Sequence, residues 1–266
     1  MSSGGTDVGR TTVSIVCNGN TNIQVRRDGK LRCFMSSIQE YHVADFHGLY
    51  DVMETFRKPR VWLFRGQSDV SWQLLPKVGR PPYLGVSDRA VFESWKRRAL
   101  EHIAVRSAMT DWDWLALAQH HGLATRLLDW TSNPLAAPYF AVEDQRNTDA
   151  AVYACRFRRV VDARHDHPME FQDVGLFRPG AVAARITRQS GQFSINGNPS
   201  LSLESQSGDA FDLCRIVIDV SYRDRLKREL SFYGVDRATL FPDLDGLSAF
   251  VNWTIEAKEF FFVPAG

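Results

Sequence analysis

Two short segments concentrate the polar groups able to do chemistry. The first is Trp62-Leu63-Phe64-Arg65-Gly66-Gln67, in which an apolar run ends on an arginine and a glycine. The second covers residues 119–132 and sets Gln119, His120, His121, Thr125, Arg126, Asp129, Trp130, Thr131 and Ser132 into a stretch flanked by apolar helices. His120 and His121 are adjacent, so on a helix they point about 100° apart and cannot both line one pocket wall. One of them is expected to face a cleft as a hydrogen-bond donor or general base, because imidazole titrates near neutrality. The other is then a satisfied core or surface histidine. Arg126 and Asp129 stand close enough in sequence to brace each other, and each is as readily scaffold as site. Trp130 either stacks on a ligand ring or packs. Thr131 and Ser132 either donate to a ligand or cap the helix that Asn133-Pro134 announces, and both roles can hold at once. The structural alternative for Arg65 is an ion pair with Asp69 or Asp129.

Other chemistries lack their residues. There is no GxSxG elbow, no GxxxxGK[ST] phosphate loop and no GxGxxG turn after a strand. The four cysteines, Cys17, Cys33, Cys155 and Cys214, form no CxxC pair and read as reduced and structural. No metal site is expected: His165-Asp166-His167 lies in a polar segment and reads as a solvated loop. Asp243 and Asp245 read as acids at a helix N-terminus, where the dipole favours negative charge. A net charge of +1 argues against a protein that coats DNA, though not against a local basic groove.

The elements that must position these residues mix strands and helices irregularly, which predicts an α+β fold rather than a doubly wound sheet. Residues 1–10 read as a disordered tail and residues 11–266 as a single domain. A β-branched run at 11–17 and pairing of 22–26 with 31–35 around Asp28-Gly29 predict a small opening hairpin or meander. Ser37 can cap a helix over 38–57, with Val43, Phe46, Leu49, Tyr50, Met53 and Phe56 at helical spacing. A strand is expected at 61–64, a loop at 76–86, and helices from Ser87 or Asp88, over 112–121 and after Pro134. Further strands are expected at 150–157, 182–186, 192–195, 213–220 and 260–263, with loop from 160 to 177 and helices at 222–234 and 237–251.

The run Ala118-Gln119-His120-His121-Gly122-Leu123-Ala124-Thr125-Arg126-Leu127-Leu128-Asp129-Trp130-Thr131-Ser132-Asn133-Pro134, taken with Phe64-Arg65-Gly66, resembles the FRG domain family. Ala184-Arg185-Ile186, Gln189, Gly191, Phe193 and residues 240–246 fit as well, so the resemblance spans about residues 38–251. A fainter likeness is to ADP-ribosyltransferases of the arginine–serine–glutamate type. It implies a split mixed β-sheet with helical insertions, and NAD as substrate. By that resemblance Arg65 grips the NAD phosphates, Thr131 and Ser132 brace it or line the sugar, and a later-strand glutamate holds the nicotinamide ribose. No Glu-x-Glu pair is present; by order along the sheet Gln189 takes that place, ahead of Glu256 and Glu259. Arginine suits a pyrophosphate because its planar fork donates two parallel hydrogen bonds. Gly66 permits close backbone approach, and Gln67 can position the nicotinamide amide or the ribose. Thr125, Arg126, Asp129 and Trp130 complete the expected cofactor-binding set, with Arg65, Gln189, His120 and Thr131 as the catalytic one.

The reading is therefore an NAD-dependent mono-ADP-ribosyltransferase, with a non-catalytic nucleotide or nucleic-acid binding module as its rival. The likeness implies a toxin held by an antitoxin protein, or a phage-defence effector. The acceptor is a nucleic acid or a protein. Basic clusters at 96–98 with Arg106, at Arg156, Arg158, Arg159 and Arg164, and at Arg178, Arg185 and Arg188 would suit an anionic acceptor if they converge. No run approaches a membrane span and residues 1–10 do not resemble a secretory signal, so no membrane partner is expected and the cytoplasm is the default.

Overall fold

The computed structural model describes residues 22–25, 31–34, 38–102, 109–179, 191–206 and 210–259. The chain divides into two units, residues 1–37 and 38–266. In the first, strands β1 (Asn22–Val25) and β2 (Leu31–Phe34) pair antiparallel, with Asn22 opposite Phe34 and Val25 opposite Leu31. That is the pairing the Asp28-Gly29 signal predicts.

The second unit is α+β. Its first sheet is mixed, in the order β3 (Gln39–Val43), β9 (Phe211–Ile218), β6 (Ala150–Phe157), β4 (Leu63–Gln67). The β3–β9 pair is parallel and the other two pairs are antiparallel. A separate antiparallel sheet runs β5 (Leu127–Trp130), β8 (Gln192–Asn196), β7 (Val174–Phe177). The helices are α1 (Phe46–Thr55), α2 (Asp88–Ala99), α3 (Asp111–His120), α4 (Ala136–Val142), α5 (Arg223–Phe232), α6 (Arg237–Leu240) and α7 (Leu244–Glu256).

Side-chain alternation along the strands makes three cores. One face of the mixed sheet, carrying Phe64, Val152, Ala154, Ile216 and Ile218, packs on Leu49 and Met53 of α1, Ala137 and Ala141 of α4 and Leu226 and Leu230 of α5. The opposite face, through Leu63, Tyr153 and Cys155, meets Leu128, Trp130, Val174 and Leu176 of the second sheet. The far side of that sheet, through Leu127, Phe177, Phe193 and Ile195, carries Phe92 of α2 and Trp112 and Leu115 of α3. The result is a layering of helices, sheet, sheet and helices. Two bridges stitch the sheets: Phe64 and Thr131 exchange two backbone hydrogen bonds of 2.8 Å, and Val160, just beyond β6, bridges to Leu176 of β7.

Several expectations change. The helix expected over 38–57 is a strand followed by a helix: Asp45, not Ser37, caps α1 by accepting from Gly48 N at 2.8 Å. Tyr41 and Val43 alternate inward as a strand requires, but two positions are too few to outweigh the helical spacing that follows. The strand expected at 61–64 runs two residues beyond Arg65, so Arg65 and Gly66 lie inside β4 rather than at its end. β5 was not expected, and β7 lies within residues read as loop. Asn133 accepts from Leu135 N at 2.9 Å, and α4 begins only after that turn. The helix expected over 237–251 is broken into α6 and α7, each with its own aspartate cap, Asp236 and Asp243.

Other elements match. Ser87 caps α2, Thr110 and Asp113 form a capping box on α3, and Gly122 ends it at φ +84°. β6 has the expected bounds. The tail expected at 1–10 and the strands expected at 11–17, 182–186 and 260–263 lie outside the described residues. No helix among the described residues is long and apolar enough to cross a membrane.

Candidate functional site

Arg65 stands in the middle of β4, opposite Tyr153 of β6, on the face turned toward the second sheet. Its Nη1 donates to the backbone carbonyl of Asp129 at 2.8 Å and lies 3.6 Å from the Asp129 carboxylate. Its Nε is buried and has no partner among the described residues. Burial lowers the Arg65 pKa and the Asp129 charge opposes that shift; a guanidinium nonetheless stays charged. About a fifth of the side chain (19%) reaches the surface. The Phe64–Thr131 bridge holds this arginine beside the Thr131-Ser132 turn.

Asp129 is tied from its other side. Its Oδ2 accepts from Gln119 Nε2 at 2.9 Å, Gln119 Oε1 accepts from the Thr125 hydroxyl, and that hydroxyl oxygen accepts from Leu127 N at 3.2 Å. A continuous polar chain therefore runs from Thr125 through Gln119 and Asp129 to Arg65. His120, at the end of α3, is exposed like His121 but feels the Asp129 charge, and the two rings meet edge-on at 5.2 Å. Of the two, His120 is the histidine turned toward this cluster. Burial, then the neighbouring His121, lowers its pKa against the pull of Asp129, so His120 is neutral at pH 7. Because folding disfavours its proton, the stability it contributes is present above the ordinary value of 6.5 and is lost as pH falls from there through the lower folded value. An NMR pH titration should show its midpoint below 6.5; a midpoint above that value would show that the Asp129 charge outweighs partial burial and His121.

Other expected residues have different occupations. Arg126 does not join Arg65. Its side chain is 9% exposed and grips Asp88 through Nε at 2.7 Å and Nη2 at 2.9 Å, with Nη1 3.3 Å from the Pro168 carbonyl. The brace expected between Arg126 and Asp129 is absent because each has these other partners. Trp130 is buried, donates to Ser194 Oγ at 2.8 Å and packs edge-on against Phe157, so it is a core residue rather than a stacking platform. Thr131 Oγ1 accepts from Asn133 N at 3.1 Å, the local turn role foreseen for it, while Ser132 is exposed. Gly66 faces α4: a Cβ there would lie 2.1 Å from the Ala137 carbonyl oxygen, so the close approach it permits is to a helix backbone. Gln67 is 5% exposed; its Nε2 donates to Gln73 O at 3.3 Å and its Oε1 has no partner among the described residues. Gln189 lies outside the described residues. Glu259 pairs with Arg228 of α5 at 3.6 Å, and Glu256 closes α7.

Two neighbours carried no sequence signal. Glu204 accepts from Leu74 N at 2.9 Å with both oxygens and from the Tyr153 hydroxyl at 3.1 Å. Arg80 donates from Nε to Leu75 O at 2.8 Å and from Nη2 to the same oxygen. Both contacts link distant parts of the chain or an irregular loop, where no spacing rule applies. A cavity of about 290 Å³ lies elsewhere, lined by Arg159, His165, His167, Phe171 and Asp173. Its histidines are separately engaged, His165 with Asp162 at 2.8 Å and His167 with Asp111 at 3.3 Å. Several members of the basic clusters are paired: Lys96 with Asp111, Arg156 and Arg158 with a shared Asp212, and Arg159 with Asp173. Arg106, Arg185 and Arg188 lie outside the described residues.

The fold and this cluster define an α+β protein with a partly buried arginine at the seam of two stitched sheets. Residues 60–150 match the FRG domain family, as the motifs around Arg65 and Asp129 imply. That window runs from just before β4 to the first residue of β6 and contains Arg65, Arg80, Gln119, His120, Asp129 and Thr131. No curated protein and no solved structure matches the chain.

Proposed function

We propose that the protein is an NAD-dependent ADP-ribosyltransferase that holds the NAD pyrophosphate at Arg65. The observation that carries the reading is the Arg65 guanidinium itself. It emerges from between two sheets beside a hydroxyl-bearing turn, with a buried Nε that no described residue satisfies. A buried donor left unpaired costs about 1–3 kcal/mol, more for a charged group, and the fifth of the side chain that reaches the surface (19%) is where a phosphate oxygen would meet the guanidinium fork.

In the reaction the bond between the ribose C1′ and the nicotinamide nitrogen breaks, and nicotinamide leaves with the bonding pair. An acceptor oxygen or nitrogen on a nucleic acid or a protein forms the new bond to C1′ and gives up its proton. Arg65 anchors the phosphates, which orients C1′. In this reading Thr131 and Ser132 line the sugar. Neutral His120 is suited to take the acceptor's proton. A toxin or phage-defence role, with an antitoxin partner, belongs to this same reading.

The test is nicotinamide release by the wild type and by Arg65→Ala. Loss of the anchor should lower the rate by about 100-fold or more. Arg65→Lys should not restore it, because an ammonium lacks the planar fork. Unchanged release by Arg65→Ala, or none by the wild type, would refute the enzyme. The second reading, a nucleotide-binding module without turnover, is favoured by one observation: Asp129, the carboxylate that Arg65 meets, is already engaged by Gln119 and by Arg65. NAD-dependent thermal stabilisation with no nicotinamide released would select it.

A further inference from the structure

The segment between β4 and α2 lies across the Arg65 side of the mixed sheet. At one end Gln73 O accepts from Gln67, two residues along β4 on the same face as Arg65. Next, Leu74 is pinned to Glu204, whose carboxylate also receives the Tyr153 hydroxyl, and Tyr153 sits opposite Arg65. At the far end Val78 N donates to Thr125 O at 3.3 Å and Lys77 Nζ to Gly122 O at 2.8 Å. Thr125 is the start of the polar chain that leads through Gln119 and Asp129 back to Arg65. Arg80 follows immediately, with its guanidinium folded back onto Leu75 O.

Arg80 is half-buried, and no carboxylate pairs with it among the described residues. Burial, followed by the positive charge of Arg65, lowers its pKa. The segment that carries Arg80 is thus fixed at both ends to residues of the Arg65 cluster, and the acid beside Arg65, Asp129, is held by Arg65 and Gln119. Like charges placed together out of water repel, and a dianion between them would reverse the sign of that interaction.

We infer that Arg80 is a second phosphate-binding residue, and that with Arg65 it forms a two-point cradle selective for a diphosphate ester over a monophosphate. The inference rests on the reading of Arg65 as a phosphate anchor and adds to it a residue and a ligand class. One guanidinium meets each phosphate. Arg80 commits Nε and Nη2 to Leu75 O, and its Nη1 has no hydrogen-bond partner among the described residues.

Calorimetric titration of the full chain with ADP and with AMP tests this. The wild type should prefer ADP by about ten-fold or more, one charge-assisted contact's worth. Arg80→Gln should weaken ADP by a similar factor while AMP changes by less than about three-fold. Arg80→Lys, which retains a donor for Leu75 O, guards against a folding artefact. In the wild type itself, ADP should protect the Arg80 peptide from an arginine-selective dicarbonyl reagent, and AMP should protect it less. Equal affinity of the wild type for ADP and AMP, or Arg80 variants that bind ADP as the wild type does, would overturn the cradle. If those same variants are matched by a wild type that releases nicotinamide, Arg65 stands as an anchor and Arg80 alone is dismissed. A wild type that binds neither ADP nor NAD ends both.

Discussion

Gly66→Ala should leave little or no folded protein. A Cβ at this position would lie 2.1 Å from the carbonyl oxygen of Ala137, 2.6 Å from the amide nitrogen of Ala141 and 3.1 Å from the carbonyl carbon of Phe140. All three atoms are backbone, so no side chain can rotate away. The strand would have to back out from α4, and β4 is held on its other edge by full pairing with β6 from Leu63–Cys155 to Gln67–Ala151. Overpacking a core ordinarily costs about 1–3 kcal/mol; a clash confined to backbone belongs at or beyond the top of that range. In a chain of this size each kcal/mol lowers Tm by about 2–4 °C, so a surviving fraction should melt about 6–12 °C lower. Gly48→Ala in α1 is the control: its Cβ would meet Asp45 Oδ1 at an ordinary 3.4 Å, and the helix should be unaffected or gain up to about 1 kcal/mol. Gly66→Ala protein that melts with the wild type would show that α4 does not sit on β4 as described.

Arg126→Ala should cost about 3–5 kcal/mol, the usual consequence of stranding one member of a buried ion pair. Asp88 keeps only 15% of its side chain in solvent and receives both arms of the Arg126 fork. Removal of the arginine leaves that carboxylate charged and dry, and also frees the Pro168 carbonyl. Asp88 begins α2, so the loss should loosen α2 from the second sheet as well. Arg126→Lys should recover little, because one ammonium cannot reproduce two parallel hydrogen bonds. The double variant Arg126→Met/Asp88→Asn should be less damaging than the sum of its parts, since neither charge is then stranded. Urea denaturation of the wild type, Arg126→Met, Asp88→Asn and the double variant measures this coupling, and a single-variant loss below about 1 kcal/mol would place the pair in solvent instead.

What could be read in advance follows from how local each signal is. β6 is legible because Ala150-Ala151-Val152-Tyr153-Ala154-Cys155 is buried on both faces and so is apolar without interruption. The ends of α2 and α3 are legible because caps are short-range chemistry. β5 was hidden: Asp129 interrupts Leu127-Leu128 and Trp130, because that side chain turns toward Gln119 rather than into a core. β7 is four residues inside a polar stretch, and it forms because Phe193 and Ile195 of β8 lie beside it. At the site, Asp129 was foreseen as one of two partners for Arg65. The other, Asp69, turns instead to Ser71 and Thr148. Nothing local links Arg126 to Asp88 or Trp130 to Ser194, across 38 and 64 positions. Those pairings are products of the finished fold, and they claim two residues that motif reading assigns to a ligand.

The two stitches between the sheets have a mechanical meaning. Taken in order, β6, β4, β5, β8 and β7 return to the chain beyond β6, so five strands make a hoop around Leu63, Trp130, Tyr153 and Leu176. The two joins are single bridges, so β4, β5 and β7 remain edge strands of their sheets, each pinned near one point, and among the described residues of these two sheets β3 is the edge strand that carries no such pin. Arg65 is one residue from a stitch. Its position is therefore set by the β4–β6 pairing on one edge and by a single cross-sheet bridge on the other, so a change in the length of the surrounding loops need not carry the guanidinium with it.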